Sequence, residues 1–221
     1  MAKVIVFGIA EFAEIAHYYL TMDSEHEVVA FCVNENFLPK KKYFKNLPIV
    51  TFENVENLYP INEYHFLAPM TSKKMNILRE QVYNSIKDKG YNLISYISSK
   101  SVINDSIIGD NCFILEGTMI QPFTRIGNNV MISANCYVGH HAEIKDHVTI
   151  SGQVAVEGKC VIGENSFLGV NSTIRNRIIL AKGTLVGLGT VISKNTEKWS
   201  VYMGNPAKII GRNISRSINN G

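Results

Sequence analysis

The sequence has little excess charge and no long hydrophobic run. Its 221 residues include 22 Lys or Arg and 19 Asp or Glu, a net charge of +3. That charge is too small to indicate a nucleic acid or an anionic membrane as a partner. No apolar stretch reaches the roughly 18 residues that a membrane-spanning helix needs, and the N-terminal run "KVIVFG" predicts a buried strand rather than a signal peptide. We therefore expect a cytoplasmic protein.

Cysteine is also scarce, and no two of the four cysteines form a Cys-x-x-Cys pair. This lack weakens the case for a zinc site. Cys112, Cys136 and Cys160 follow one another at intervals of 24 residues. Equal spacing of this kind indicates an internal repeat, and we expect the three thiols to be unlinked wall residues.

A six-residue repeat runs through the second half of the chain. Every sixth residue from Val102 to Ile192 is Val, Ile or Leu, without exception over sixteen positions. From Ser106 to Thr190, the residue two places before the aliphatic one is small or β-branched, and glycine often follows the aliphatic residue. This period predicts a solenoid with three flat sides of six residues, hence about five coils of eighteen residues. The pattern is typical of the left-handed parallel β-helix.

The first half lacks this repeat and alternates apolar runs with helical patterns. The alternation predicts a Rossmann-like α/β domain over residues 1–97, before a β-helix domain with a C-terminal tail over 98–221. The first turn, "FGIAEFAE", keeps Gly8 but lacks the rest of Gly-x-Gly-x-x-Gly, so no NAD is predicted. Gly8 and Asn34, which end the first two strands, are candidate substrate contacts, although ordinary turn chemistry explains them equally well.

This domain order and four segments of the β-helix half resemble one family of bacterial enzymes. The segments are "IQPFTRIGNNV", "GHHAEIKDHVTISGQVAVEG", "ENSFLGVNSTI" and "VYMGNPAKII". They resemble the sugar acyltransferases of the sialic-acid O-acetyltransferase and bacillosamine N-acetyltransferase type. The resemblance implies an acetyl-CoA-dependent N-acetyltransferase that acts on a nucleotide-linked 4-amino-4,6-dideoxy sugar for surface glycan (O-antigen or capsule) biosynthesis. O-acetylation of a sugar hydroxyl and a purely structural β-helix remain as alternatives.

The resemblance also implies a set of site residues. A family histidine acts as general base, usually followed by Asp or Glu, and the hexads align it with His140, which is followed here by His141. Both are candidate catalytic residues. A family histidine that contacts acetyl-CoA falls at Thr149, the glycine whose backbone meets the cofactor matches Gly158, and Gly187 is a further candidate cofactor contact.

The residues around His140 support the same assignment independently. Gly158 lies eighteen residues after His140 and Pro122 eighteen before it, so neither neighbouring coil carries a bulky or charged side chain there. A thioester then has space beside the imidazole, which is suited to removing a proton near pH 7.

The stretch "YVGHHAEIKDH" at 137–147 holds three of the six histidines but does not predict a metal site. His140 and His141 are neighbours that point to opposite sides of an extended chain, and His147 belongs to the next side of the triangle. We expect no bound metal and a solvated His147. Apolar residues outside the hexad, such as Met119, Phe123, Met131 and Phe167, indicate association into a homotrimer.

Overall fold

The computed structural model describes residues 1–70, 72–213 and 217. In this part of the chain the predicted apolar runs form strands, and the two amphipathic segments form helices of 12 residues each. Neither helix is long and apolar enough to cross a membrane. The first elements are β1 (Lys3–Phe7), α1 (Glu11–Met22), β2 (Glu27–Val33), β3 (Tyr43–Phe44), β4 (Leu47–Thr51), β5 (Tyr64–Leu67), α2 (Ile77–Asp88) and β6 (Asn92–Leu93).

These six strands form one sheet in the order β3-β4-β2-β1-β5-β6, parallel except for the β3–β4 pair. Successive residues of β1 alternate between two cores. Ile5 and Phe7 pack on the side of α2, whereas Val4 and Val6 pack on the side of α1. Burial of the sheet on both faces explains why its strands read as continuous apolar runs.

The repeat forms a parallel β-helix with three faces. Face 1 contains β7 (Tyr96–Ile97), β10 (Phe113–Ile114), β13 (Met131–Ile132), β16 (Thr149–Ile150), β19 (Phe167–Leu168) and β22 (Leu185–Val186). Face 2 contains β8 (Val102–Ile103), β11 (Met119–Ile120), β14 (Tyr137–Val138), β17 (Ala155–Val156), β20 (Thr173–Ile174) and β23 (Val191–Ile192). Face 3 contains β9 (Ile107–Ile108), β12 (Arg125–Ile126), β15 (Glu143–Ile144), β18 (Val161–Ile162) and β21 (Ile179–Leu180).

Stacking of residues eighteen apart confirms the predicted coil. Ile114 pairs with Ile132, and Ile132 pairs with Ile150. The hexad side chains from Ile114 to Ile192 are 0–3% exposed and form one continuous core. A β-hairpin of β24 (Val201–Met203) and β25 (Lys208–Gly211) extends face 1 beyond the last coil.

The first hexad position is wrong by one residue. Ile120 pairs with Ile103, so Ile103 points inward, while Val102 is 50% exposed. The first coil is therefore one residue shorter between β8 and β9 than the later coils. A count of aliphatic residues does not reveal the shift, because positions 102 and 103 are both aliphatic.

The corners of the triangle have a common backbone conformation. Each turn places one residue in the left-handed region, where Asn and Gly are favoured. Asn129, Asn165 and Asn171 occupy such positions with φ of 57–58°. The small position two residues before the hexad points inward as well. Cys112, Cys136 and Cys160 are free and buried there, and each donates its S–H to the carbonyl fifteen residues later.

The N-terminal sheet and its helices pack directly on face 1 of the β-helix. Side chains that point outward from this face are nonetheless buried, including Phe113, Met131, Thr149 and Leu185. The change from one sheet to the other occurs between β6 and β7. Tyr96–Ile97, which the sequence pattern joined to the first domain, pairs with Phe113–Ile114.

A junction of polar side chains connects α2 to the β-helix, and Arg79 is at its centre. The Arg79 side chain is fully buried, and burial lowers the pKa of its guanidinium to about 9. Its acceptors are the carbonyl oxygens of Met70, Asn129, His147 and Val148, the Met131 sulfur and the Thr149 hydroxyl, at 3.0–3.4 Å. A second connection is Asp23, whose carboxylate accepts hydrogen bonds from Tyr96, Ser98 and Ser99.

Candidate active site

His140 lies at the corner between faces 2 and 3, in the turn that joins β14 to β15. The turn is held by the coils on either side. The Lys159 N–H donates to the His140 carbonyl at 2.9 Å, and the His141 N–H donates to the Pro122 carbonyl at 3.2 Å. Gly139 has to be glycine, since a Cβ there would lie 2.5 Å from the backbone nitrogen of Gly158.

The imidazole of His140 lies against Gly158, as the eighteen-residue spacing predicts. A Cβ on Gly158 would be 2.9 Å from His140 Nε2 and 3.0 Å from Cε1. The ring therefore occupies the space that a side chain at 158 would need. Nε2 is the ring nitrogen that faces this space, and it is the atom able to take a proton from a molecule bound there.

An open cleft of about 430 Å³ extends from His140 along the same corner. Its lining residues are His140, Glu157, Gly158, Lys159, Arg175, Asn176 and Arg177. Three cationic side chains and one carboxylate give the cleft a positive balance, which attracts anionic groups such as phosphates. We call these residues the cleft.

His141 contacts His140 from below. The two Nδ1 atoms are 3.0 Å apart, and the rings are perpendicular with centroids 5.2 Å apart. His141 has φ of 57°, in the left-handed region, and its ring packs on Phe123 with a centroid distance of 4.9 Å. The structure thus brings His140, His141 and Gly158 together. The expectation that the two histidines point to opposite sides is wrong, because the left-handed turn at His141 brings the two rings into contact.

Thr149 lies elsewhere, on face 1 beneath α2. It is 8% exposed, its hydroxyl donates to Asn76 Oδ1 at 2.8 Å, and it accepts from Arg79 at 3.0 Å. The expected cofactor contact at Thr149 is therefore withdrawn, because both the hydroxyl proton and a lone pair are already used inside the protein.

His147 is buried, which corrects the expectation of a solvated side chain. It is 9% exposed, its Nδ1 is 2.9 Å from Asn129 Nδ2, and its Nε2 is 3.8 Å from Glu80 Oε1. Burial lowers the pKa of His147, and the carboxylates of Glu80 and Asp146 act in the opposite direction. In the described part of the chain, no group of three or more His, Cys, Asp or Glu side chains is arranged to hold a metal ion.

The three remaining candidates are distributed over two other regions. Gly187 lies at the corner between faces 1 and 2, where a Cβ would be 2.8 Å from the Met203 side chain. Gly8, with φ of 110°, and Asn34 follow β1 and β2 and so lie at the carboxyl edge of neighbouring parallel strands. The Asn34 amide donates to Glu53 at 3.4 Å.

Sequence reasoning missed the basic lining of the cleft and the buried Arg79. The coil spacing could have predicted Lys159, Arg175 and Arg177. Each is next to a residue that lies one or two coils of eighteen residues after His140. Arg79 gave no signal, since it is a charged residue within an ordinary amphipathic helix.

The chain is similar to known bacterial proteins in two comparisons. Residues 123–158 match the bacterial transferase hexapeptide family (six repeats), and residues 159–194 match the hexapeptide repeat of succinyl-transferase. A search of curated proteins gives no match.

Solved structures of bacterial acetyltransferases share the fold over nearly the whole chain. The acetyltransferase domain of PglB from Neisseria gonorrhoeae is 19% identical, with a TM-score of 0.83 over 95% of this chain and 100% of that one. A histidine mutant of perosamine N-acetyltransferase from Caulobacter crescentus is 20% identical, with a TM-score of 0.86 over 96% and 98%. WeeI from Acinetobacter baumannii is 20% identical, with a TM-score of 0.68 over 95% and 100%. Residues 123–194 therefore match models of hexapeptide repeats, and the chain as a whole has the fold seen in these solved structures.

Proposed function

We propose that the protein is an acetyl-CoA-dependent N-acetyltransferase that acts on a nucleotide-linked 4-amino-4,6-dideoxy sugar, for the biosynthesis of a surface glycan such as O-antigen or capsule. The observation that carries the proposal is His140 Nε2 against Gly158 in an open, basic cleft. The structures of similar proteins support it. Perosamine N-acetyltransferase was solved with CoA and GDP-perosamine, and the PglB domain with acetyl coenzyme A.

In the proposed reaction His140 is the general base. The neutral amine of the sugar attacks the thioester carbonyl, and His140 Nε2 takes the proton that the nitrogen loses. A backbone N–H at Gly158, where no side chain blocks approach, stabilises the oxyanion. Collapse of the tetrahedral intermediate breaks the C–S bond, and the proton on Nε2 passes to the CoA thiolate. The products are the N-acetyl sugar and CoA thiol.

The cationic side chains of the cleft suit the phosphate groups of the two substrates. Arg175 and Arg177 belong to the coil that follows Gly158, so a bound CoA would lie along the corner beside them. A guanidinium binds phosphate through two parallel hydrogen bonds, which fixes orientation as well as charge.

We assign nucleotide binding to the first domain, which we describe as Rossmann-like on its strand order. The strand order β4-β2-β1-β5 places Gly8 and Asn34 next to the point where connections leave the sheet in opposite directions. Ligands of such sheets bind there, at the carboxyl ends of the strands. Glu53 is hydrogen-bonded to Asn34 and to the N–H of Glu35, and its carboxylate suits the hydroxyls of a ribose.

We also propose that the enzyme is a cytoplasmic homotrimer. Phe123 is 60% exposed, Ile107 59% and Met119 38% on the outside of the β-helix. Met131 and Phe167 do not support a trimer, because both pack against other parts of the same chain. The four free cysteines suit a reducing compartment, in which acetyl-CoA and nucleotide sugars are also made.

The test is release of CoA thiol with a panel of acceptors. Purified protein is incubated with acetyl-CoA and UDP-, dTDP- or GDP-linked 4-amino-4,6-dideoxy sugars, with free sialic acid as the hydroxyl acceptor. We expect thiol release with at least one amino sugar and a product heavier by one acetyl group. Acetylation of sialic acid alone would favour O-acetyl transfer, and no release with any acceptor would overturn the proposal.

A further inference from the structure

The contact between His140 and His141 has a consequence for the protonation of the base. Two Nδ1 atoms 3.0 Å apart share one hydrogen bond, so in the neutral pair one donates and the other accepts. If His140 donates, its Nε2 is unprotonated and faces the cleft. If His141 donates, His140 carries its proton on Nε2 instead, and the base is blocked.

We infer that His141 is a positioning residue that accepts the Nδ1–H of His140 and thereby keeps Nε2 free to act as the base. This inference rests on the proposed function for its catalytic meaning. Holding a catalytic imidazole in one tautomer through its second nitrogen is a known use of a carboxylate. Here a second imidazole makes the same contact, and it does so only while its own Nδ1 is unprotonated.

The arrangement predicts what happens at each protonation step. When His140 takes the amine proton on Nε2, it becomes imidazolium and still donates Nδ1–H to His141. A proton on Nδ1 of His141 reverses the shared bond, so that a neutral His140 must carry its hydrogen on Nε2. The charged groups that line the same cleft are Glu157, Lys159, Arg175 and Arg177, and the ring that packs on His141 from below is that of Phe123.

The repeat itself supplies a matched variant. Phe123 occupies the corner position one coil below His141 with φ of 64°, so this conformation accommodates a phenyl ring. The change His141→Phe therefore keeps an aromatic ring on Phe123 and removes the nitrogen acceptor. In His141→Asp a carboxylate oxygen is attached two bonds from Cβ, as Nδ1 is in histidine, and it can only accept. Asp also tolerates the left-handed conformation.

The two variants separate positioning from packing. For positioning we expect His141→Phe to lower kcat by about tenfold or more, the usual loss for a residue that orients a functional histidine, with little change in KM for acetyl-CoA. His141→Asp should restore kcat to within about threefold of wild type. Packing alone predicts the reverse, and activity retained in His141→Phe with loss in His141→Asp would overturn the inference.

A measurement without substrate distinguishes failure of this inference from failure of the proposed function. In protein labelled with ¹⁵N-histidine, NMR should show His140 of the wild type protonated at Nδ1 and not at Nε2. The preference should persist in His141→Asp and be lost in His141→Phe. An Nε2-protonated His140 in wild type overturns the inference, whether or not any acceptor is acetylated.

Discussion

At the scale of single residues, the candidate site depends on the space left by one missing side chain. The His140 ring lies within 2.9 Å of the position that a Cβ on Gly158 would take, and the absence of that side chain also leaves the cleft open. Two residues act on the His140 ring in different ways. Gly158 leaves the space beside Nε2, and His141 contacts the other ring nitrogen, Nδ1. A small change at 158 should therefore affect chemistry more than folding.

We predict that Gly158→Ala lowers kcat while the protein stays folded. The added methyl would be 2.9 Å from His140 Nε2, so the imidazole must move away from the reacting position. Displacement of a catalytic group by about 1 Å costs up to about 10²-fold in rate. Gly152→Ala is the control, because its methyl would meet nothing closer than the Ala134 carbonyl oxygen at 3.5 Å. Equal activity of the two variants, at equal unfolding temperature, would show that this contact has no role.

At the scale of elements, α2 and face 1 of the β-helix position one half of the molecule on the other. The corner between faces 3 and 1 carries a ladder of polar side chains, in which Asn111, Asn129 and His147 bond to one another in sequence. Asn111 also accepts from the N–H of Ala68, and Asn165 donates to Glu80 of α2. Arg79 inserts between these residues, and its hydrogen-bond acceptors in the described part of the chain are carbonyl, hydroxyl and sulfur groups rather than carboxylates.

Removal of Arg79 should destabilise the protein strongly. Arg79→Met leaves the buried carbonyl oxygens of Asn129 and His147 without this donor, and each such loss costs about 1–3 kcal/mol. We expect the free energy of unfolding in urea to fall by about 3 kcal/mol or more. The control is Arg212→Met, which removes an exposed ion pair with Glu197 and should cost at most about 1 kcal/mol. Similar losses in both variants would contradict the assigned role.

His147 should make the junction sensitive to acid. Burial lowers the pKa of His147 below the ordinary 6.5. At a pH between the two pKa values, the unfolded chain therefore binds a proton that the folded protein does not bind. The free energy of unfolding should then fall as the pH decreases below about 6.5. His147→Asn removes this titration, and asparagine already stands at the stacked positions Asn129 and Asn165 in the same conformation.

Urea unfolding of wild type and His147→Asn at several pH values between about 7 and 5 tests this sign. The variant should lose less stability over that range, even if it starts lower because the ring no longer packs on Tyr83. Parallel curves would show that His147 does not couple folding to protonation.

At the scale of the whole molecule, the sequence predicts the repeating β-helix but not the way the N-terminal elements pack on it. The β-helix was predictable because one packing requirement recurs at every coil, and the His140–Gly158 contact followed by adding one coil. The burial of Thr149 and His147 was not predictable, because that part of the β-helix is covered only when α2 packs on it. The prediction that Val102 points inward was wrong for a local reason, because its neighbour Ile103 is also aliphatic and takes the inward position.

The proposed trimer gives a prediction at this scale. Exposed apolar side chains on the β-helix, including Ile107 and Phe123, should be covered by neighbouring copies. Light scattering at micromolar concentration should therefore give three times the 24.7 kDa mass of one chain. A mass of one chain would remove this part of the proposal.

The central claim is that His140 is the base for acetyl transfer to an amino sugar. The most direct measurement is steady-state thiol release by His140→Ala, with His147→Asn as a histidine control outside the cleft. We predict that kcat of His140→Ala falls by about 10²-fold or more while KM for acetyl-CoA changes little, because only the proton acceptor is removed. His147→Asn should keep most of its turnover. If His140→Ala keeps near-normal turnover while His141→Ala is inactive, the base has been assigned to the wrong residue.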